Sequence, residues 1–137
     1  GPLLDRFDLR VRVDRPMVDD LLSGQRGEPS SIVAARVAAA RARALERQGS
    51  VNAALSAGDL DIVAPLSPAA LAVLRSEMER DRLSGRGYHR IRRVARTIAD
   101  LAEPVGRETE PIGVEAIALA LEMRTSARPV RSSAAVA

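Results

Sequence analysis

Apolar and charged residues alternate over the first patterned stretch of the chain: Phe7, Leu9, Val11 and Val13 fall on one side, with Asp8, Arg10 and Arg12 between them. A period of two marks a half-buried strand over residues 7–13. A lone strand leaves backbone groups unpaired on both edges, so this one is expected to be an orphan whose sheet lies outside the chain. Residues 14–29 are rich in Pro, Gly, Ser and Asp and read as a loop.

The period then changes to that of a helix. Ser30 or Ser31 is placed to cap a helix running to about Gln48, with Gly49 placed to end it. Val33, Val37, Ala40 and Ala44 recur at helical spacing as its inward stripe. Ser56 with Asp59 forms a capping pair for a short helix over 57–63. Ser67-Pro68 starts the next helix, because proline in the first turn gives up no hydrogen bond; Leu71, Leu74 and Met78 are its inward residues, and its end is expected near Leu83. Ser84-Gly85 opens a helix to about Ala102, ahead of Pro104, and a last helix spans roughly 111–124 with Val114, Ile117, Ala118 and Leu121 inward. Residues 125–137 have no periodicity and are expected to be disordered.

Composition agrees with a mainly α chain. The 137 residues suffice for one compact domain, and 46% are hydrophobic, yet Phe7 and Tyr88 are the only aromatics. A core of Leu, Ile, Val and Ala suits helix-on-helix packing better than a β-sandwich. The charge of +3 is small, and with no lysine or cysteine the pI of about 10.8 reflects a slight arginine excess rather than a strong field. Without cysteine, and with His89 alone, no Cys or His metal site is expected. The N-terminus has no signal-peptide pattern and no stretch is long and apolar enough to span a bilayer, so a cytoplasmic protein is expected.

Arginines are the candidate chemistry. Arg6 immediately precedes the strand, and Arg86, Arg90 and Arg93 share a stripe roughly 60° wide on the 85–102 helix, beside an apolar face of Ile91, Val94, Ile98 and Leu101. Guanidinium forks match phosphate oxygens with two parallel hydrogen bonds. Read by themselves, Arg6 is a solvated residue before a strand and Arg86 a surface residue. The arginines of residues 36–47 are solvated, His89 is a surface residue and Tyr88 lies against the core.

Two segments and a scattered pattern carry a resemblance. Leu3-Leu4-Asp5-Arg6-Phe7-Asp8-Leu9 resembles the segment before the last core strand of magnesium chelatase ATPase subunits and MCM helicases. Ser84-Gly85-Arg86-Gly87-Tyr88-His89-Arg90, leading into Arg93-Val94-Ala95-Arg96-Thr97-Ile98-Ala99-Asp100-Leu101, is similar to the C-terminal domain of bacterial magnesium-chelatase-like AAA+ proteins. Arg36-Val37, Ala40-Arg41, Arg47-Gln48-Gly49 and Asn52 fit the same family.

The resemblance implies a helical bundle, the lid domain of an AAA+ module, with one orphan core strand at its N-terminus. It divides the chain into a remnant of the AAA+ core over 1–29, a lid over 30–124 and a tail over 125–137. It implies that Arg6 is an arginine finger acting on a neighbouring subunit's ATP, that Arg86 is the sensor-2 arginine on the nucleotide phosphates, and that Arg93 supports it. ATP with Mg would be bound mainly by a core domain. No G-x-x-x-x-G-K-[ST] loop and no acidic pair after an apolar strand occur here, so the chain by itself should not hydrolyse ATP. The implied partners are its own AAA+ core and neighbouring subunits of a homo-oligomeric, hexameric ring, with DNA reached through the full-length protein and no membrane. The bacterial DNA-processing branch is favoured over metal insertion by a magnesium chelatase. A free-standing helical DNA-binding domain is the alternative from another class, but residues 86–96 offer no Asn, Gln, Ser or Thr to read base edges. A purely structural oligomerisation domain is a third reading, and the orphan strand counts against both.

Overall fold

Helices dominate the computed structural model, which describes residues 6–102, 110–125 and the backbone of 128–129. They are α1 (Val18–Leu22), α2 (Ser30–Gln48), α3 (Ala57–Val63), α4 (Pro68–Glu79), α5 (Gly85–Ala102) and α6 (Val114–Thr125), with a 3-10 turn at Asn52–Ala54. Helix α5 is the hub: α2, the 3-10 turn, α3 and α6 all pack on it, and α4 packs on α6. Leu60, Leu74, Ile91, Ala95, Ile112 and Ile117 form the centre of the core, each no more than 1% exposed. The fold class expected from the sequence, a mainly α helical bundle, is the one observed.

Local signals place several ends. Ser56 accepts a hydrogen bond from the Asp59 amide while the Asp59 carboxylate accepts from the Ser56 amide, completing the capping box of α3. These bonds from the Ser56 hydroxyl and amide hold the Asp59 carboxyl below its ordinary pKa. Gly49 closes α2 in the left-handed conformation at φ 72°, and Ser67 caps α4 through the Ala70 amide. Helix α2, by contrast, starts without a side-chain cap: Pro29 holds the N-cap position.

Elsewhere the structure differs from the sequence reading. Of residues 7–13 only Val11–Arg12 is strand (β1), and it is not an orphan: it pairs in parallel with Arg128–Pro129 (β2). The preceding Arg10 amide donates to the Met123 carbonyl, so the N-terminal segment is laid along the end of α6. Beyond β2 and Thr125, the tail lies outside the described residues. Within the expected 14–29 loop, residues 18–22 form α1, none of them buried. Helix α4 stops at Glu79 rather than near Leu83. Asp81 adopts φ 55°, and the Asp81 and Arg82 amides turn back to the Met78 and Glu77 carbonyls. This is the helix-ending turn that glycine usually supplies, and Asp is among the few other residues that tolerate it.

The inward stripes are also narrower than their periodicity implies. Ala40 and Ala44 of α2 are buried, but Val33 and Val37 are 36% and 51% exposed. On α4 only Leu74 of the expected trio is buried, and on α6 Ala120 is buried where Ala118 was expected. Truncating Leu74 to Ala should therefore cost about 2–5 kcal/mol, whereas Leu71→Ala should cost about 1 kcal/mol or less. Urea unfolding midpoints of the two variants would check this, and equal losses would mean that α4 packs by another face.

Candidate functional site

The first turn of α5 presents Arg86. Ser84 caps it, accepting from the Gly87 amide through Oγ at 3.1 Å and from the Tyr88 amide through its carbonyl at 2.8 Å. The amides of Gly85 and Arg86 are left facing out of the turn, as the first amides of any helix are. The Arg86 side chain is exposed and has no hydrogen bond or ion pair among the described residues. Gly87 is buried, and a Cβ there would stand 2.7 Å from Leu83 Cδ1 and 3.2 Å from an Arg124 terminal nitrogen. The missing side chain thus lets the Arg124 guanidinium rest on this turn. Sequence reasoning missed Arg124, for which the only local signal is the glycine opposite it.

The remaining arginines of α5 are committed to the fold. Arg90 pairs with Asp8 at 3.3 Å, which brings the segment following Arg6 onto α5. Arg6 itself is exposed and has no partner among the described residues. Arg93 donates from Nε to the Leu55 carbonyl at 2.8 Å, so it braces the exit of the 3-10 turn. The stripe of Arg86, Arg90 and Arg93 runs along α5, but only Arg86 of the three is uncommitted. Residues 1–5, which complete the segment around Arg6, lie outside the described residues.

Arg92 and Arg96, by contrast, are buried at 3% and 0% exposure. Arg92 donates to the Leu60 and Ala64 carbonyls at 2.8 and 3.1 Å and to Asp61 at 2.8 Å, and lies 5.3 Å from the centre of the Tyr88 ring. It therefore adds a donor to carbonyls at the C-terminal end of α3, where positive charge also complements the helix dipole. Arg96 pairs with Asp100 one turn on. Asp100 accepts two bonds from Arg47, at 2.8 and 3.0 Å, and one from Asn52 at 2.8 Å. Asn52 also donates to Thr97 and accepts from Gln48 and Arg47. Arg43 donates to the Asp100 carbonyl near the end of α5.

These contacts overturn two expectations. The arginines of 36–47 are not all solvated, since Arg43 and Arg47 bind α5, with the Arg47 side chain 6% exposed. Nor is the buried face of α5 simply its aliphatic one: Arg92, Ala95, Arg96, Ala99 and Asp100 are inside, whereas Leu101 is 39% exposed. His89 is not a plain surface residue either, since its Nδ1 is buried without a hydrogen-bond partner among the described residues. Tyr88 does pack against the core. For Asp100, burial works to raise the pKa, but the bonds from Arg47 and Asn52 and the charges of Arg96 and Arg47 outweigh it and hold the carboxyl below its ordinary value. The Arg96–Asp100 spacing of four residues was a legible signal of a pair, but not of its burial.

Residues 27–124 match the family model for the C-terminal domain of the magnesium chelatase subunit ChlI. The chain belongs to this family. It is 39% identical over 102 residues to competence protein ComM of Haemophilus influenzae, covering 74% of this chain and 20% of that protein. It is 43% identical over 106 residues to an uncharacterized protein of Mycobacterium tuberculosis, covering 74% of this chain and 21% of the relative. With the uncharacterized protein YifB of Escherichia coli the identity is 37% over 102 residues, again 74% and 20%. The chain thus spans about a fifth of the length of these curated relatives. It is the C-terminal domain of a ChlI- or ComM-like protein, and the buried Arg47, Asn52, Arg96 and Asp100 lie inside the matched region. Among the described residues no helix is long and apolar enough to cross a membrane.

Proposed function

We propose that this domain is the lid of an AAA+ ATPase, sensing bound ATP through Arg86 and coupling hydrolysis to subunit motion in a homo-oligomeric, hexameric ring in the cytoplasm. The observation that carries this reading is the division of labour on α5. Arg90, Arg92, Arg93 and Arg96 are all tied into the fold, while Arg86 stands exposed on a capped first turn without a partner among the described residues. A guanidinium beside outward-facing helix amides suits a phosphate, because both are donors and the helix N-terminus favours negative charge. ATP with Mg would be held mainly by the AAA+ core, for the chain itself has no phosphate-binding loop and no lysine. Arg93 then acts as a brace rather than a phosphate ligand, keeping α5 registered on the 3-10 turn.

The parent machine acts in DNA processing on this reading, supported by the word competence in the name of the Haemophilus relative. Metal insertion is the second reading, favoured by the description of the matched family as a magnesium chelatase subunit.

Two results are expected. The isolated chain should show no ATP hydrolysis and a dissociation constant for ATP in the millimolar range or weaker, equivalent to roughly −4 kcal/mol. In the full-length protein, Arg86→Ala should weaken ATP binding and slow turnover together, while Arg82→Ala, which removes an exposed partner of Glu77, should change neither. Micromolar ATP binding by the isolated chain, or wild-type binding and turnover in Arg86→Ala, would place the nucleotide contact elsewhere.

A further inference from the structure

Helix α1 is amphipathic, yet its apolar side is largely exposed. At about 100° per residue, Met17, Val18, Leu21 and Leu22 fall within one arc, and Asp19 and Asp20 lie opposite. The four apolar residues are 70%, 68%, 66% and 81% exposed. Neither carboxylate has a side-chain partner among the described residues. So short a helix is marginal alone in water, and an exposed cluster of this kind marks a contact surface.

A groove of matching character runs along α5, walled by α2 at one end and by Leu9 and Met123 at the other. It consists of two adjoining clefts of about 480 and 330 Å³ that share Ala53, Thr97 and Leu101. Its walls are largely apolar, with Ile98 in one cleft and Val37 and Ala44 in the other. Arg41 and Arg93 stand in its lining, as do Asp8 and Arg90, which pair with each other. Arg41 is exposed and has no partner among the described residues, and Arg93 uses only Nε, on Leu55. An apolar arc flanked by two acids therefore faces an apolar groove flanked by two arginines.

We propose that α1 docks into the groove along α5 of a second copy of this chain, its apolar arc in the groove and Asp19 and Asp20 on Arg41 and Arg93. Within one chain α1 is held at both ends, by the β1–β2 pairing before it and by the start of α2 after it. Held there, it leaves all four apolar residues exposed. Helix-in-groove recognition needs only a few anchors on one face, and the charges fix orientation and register. The inference rests on the ring reading only in that a neighbour must come within reach.

The chain contains no cysteine, so introduced thiols report unambiguously. Leu21→Cys and Leu101→Cys proteins, one carrying a longer tag, are mixed and mildly oxidised without nucleotide. The mixed disulfide should form at least ten-fold faster than when Ile62→Cys, exposed on α3 and outside the groove, replaces Leu101→Cys. Adding Asp19→Arg and Asp20→Arg to the Leu21→Cys protein should reduce that rate about ten-fold. A mixed rate no greater than the Ile62→Cys control overturns the proposal. So does a disulfide formed only within the Leu21→Cys/Leu101→Cys double variant as a monomer, which would assign α1 to its own groove. An unchanged rate with both arginines introduced overturns the charge pairing. Since no ATP is present, failure here leaves the lid reading standing, and a silent Arg86→Ala leaves this docking standing.

Discussion

Replacing Asp100 by alanine is expected to destabilise the domain by about 3–5 kcal/mol, the loss found when one member of a buried ion pair is removed. The size follows from what is left behind. Arg96 is 0% exposed and the Arg47 side chain 6%, so two guanidinium groups would lose their shared counter-ion where water cannot replace it. Asn52 would lose an acceptor in the same step. The loss would also reach across the fold, since Asp100 is on α5, Arg47 on α2 and Asn52 on the 3-10 turn. Asp100→Asn should lose less, because it keeps an acceptor but removes the charge.

The pH dependence has a defined sign. Asp100 is held below its ordinary pKa in the folded state, so its contribution is fully present above the unfolded value of about 3.9 and is lost as pH falls through the lower folded value. The gap between wild type and Asp100→Ala should therefore be constant at neutral pH and narrow below about pH 4. Chemical denaturation of the three proteins across this range tests both statements. A loss under about 1 kcal/mol for Asp100→Ala, well outside the range for buried pairs, would show that the network is relaxed or hydrated.

The second large effect concerns Arg6 in the full-length protein. If it is an arginine finger, as the family resemblance implies, Arg6→Ala should lower turnover by about 10³–10⁵, the range for fingers that stabilise charge developing in phosphoryl transfer. ATP binding should stay nearly intact, because a group that acts on the transition state contributes little to the ground state. Arg6 is exposed and has no partner among the described residues, and Asp8 fastens the following segment to Arg90 at 3.3 Å. Mixing Arg6→Ala subunits with subunits unable to bind ATP should restore part of the activity, since finger and site would belong to different chains. Wild-type turnover in Arg6→Ala would make Arg6 an ordinary surface residue. Breaking the Asp8–Arg90 pair with Asp8→Ala should have a much smaller effect, as the pair is half in solvent.

The sequence by itself determined the helical architecture and most of the element ends. The capping box at Ser56 and Asp59, Pro68 after Ser67, Ser84 before Gly85, and Gly49 in the left-handed conformation act through neighbours in the chain, so they are legible without a fold. The family pattern was legible too, and Arg47, Gln48 and Asn52 within it proved to be one hydrogen-bonded cluster. What such a pattern cannot supply is the reason for those residues. Only the tertiary structure decided that Arg92 closes the end of α3 and that Arg47 and Asn52 join Arg96 on Asp100, because these partners lie 28–53 positions apart in the chain. An arginine on a helix reads as a solvated residue until neighbours surround it. Helix α5 is surrounded on most sides, so charge is carried into the interior and matched there, while Val33, Val37 and Leu101 are left outside by helices that do not reach them. Period alone gives the direction in which a side chain points, and packing alone decides whether anything is there to meet it.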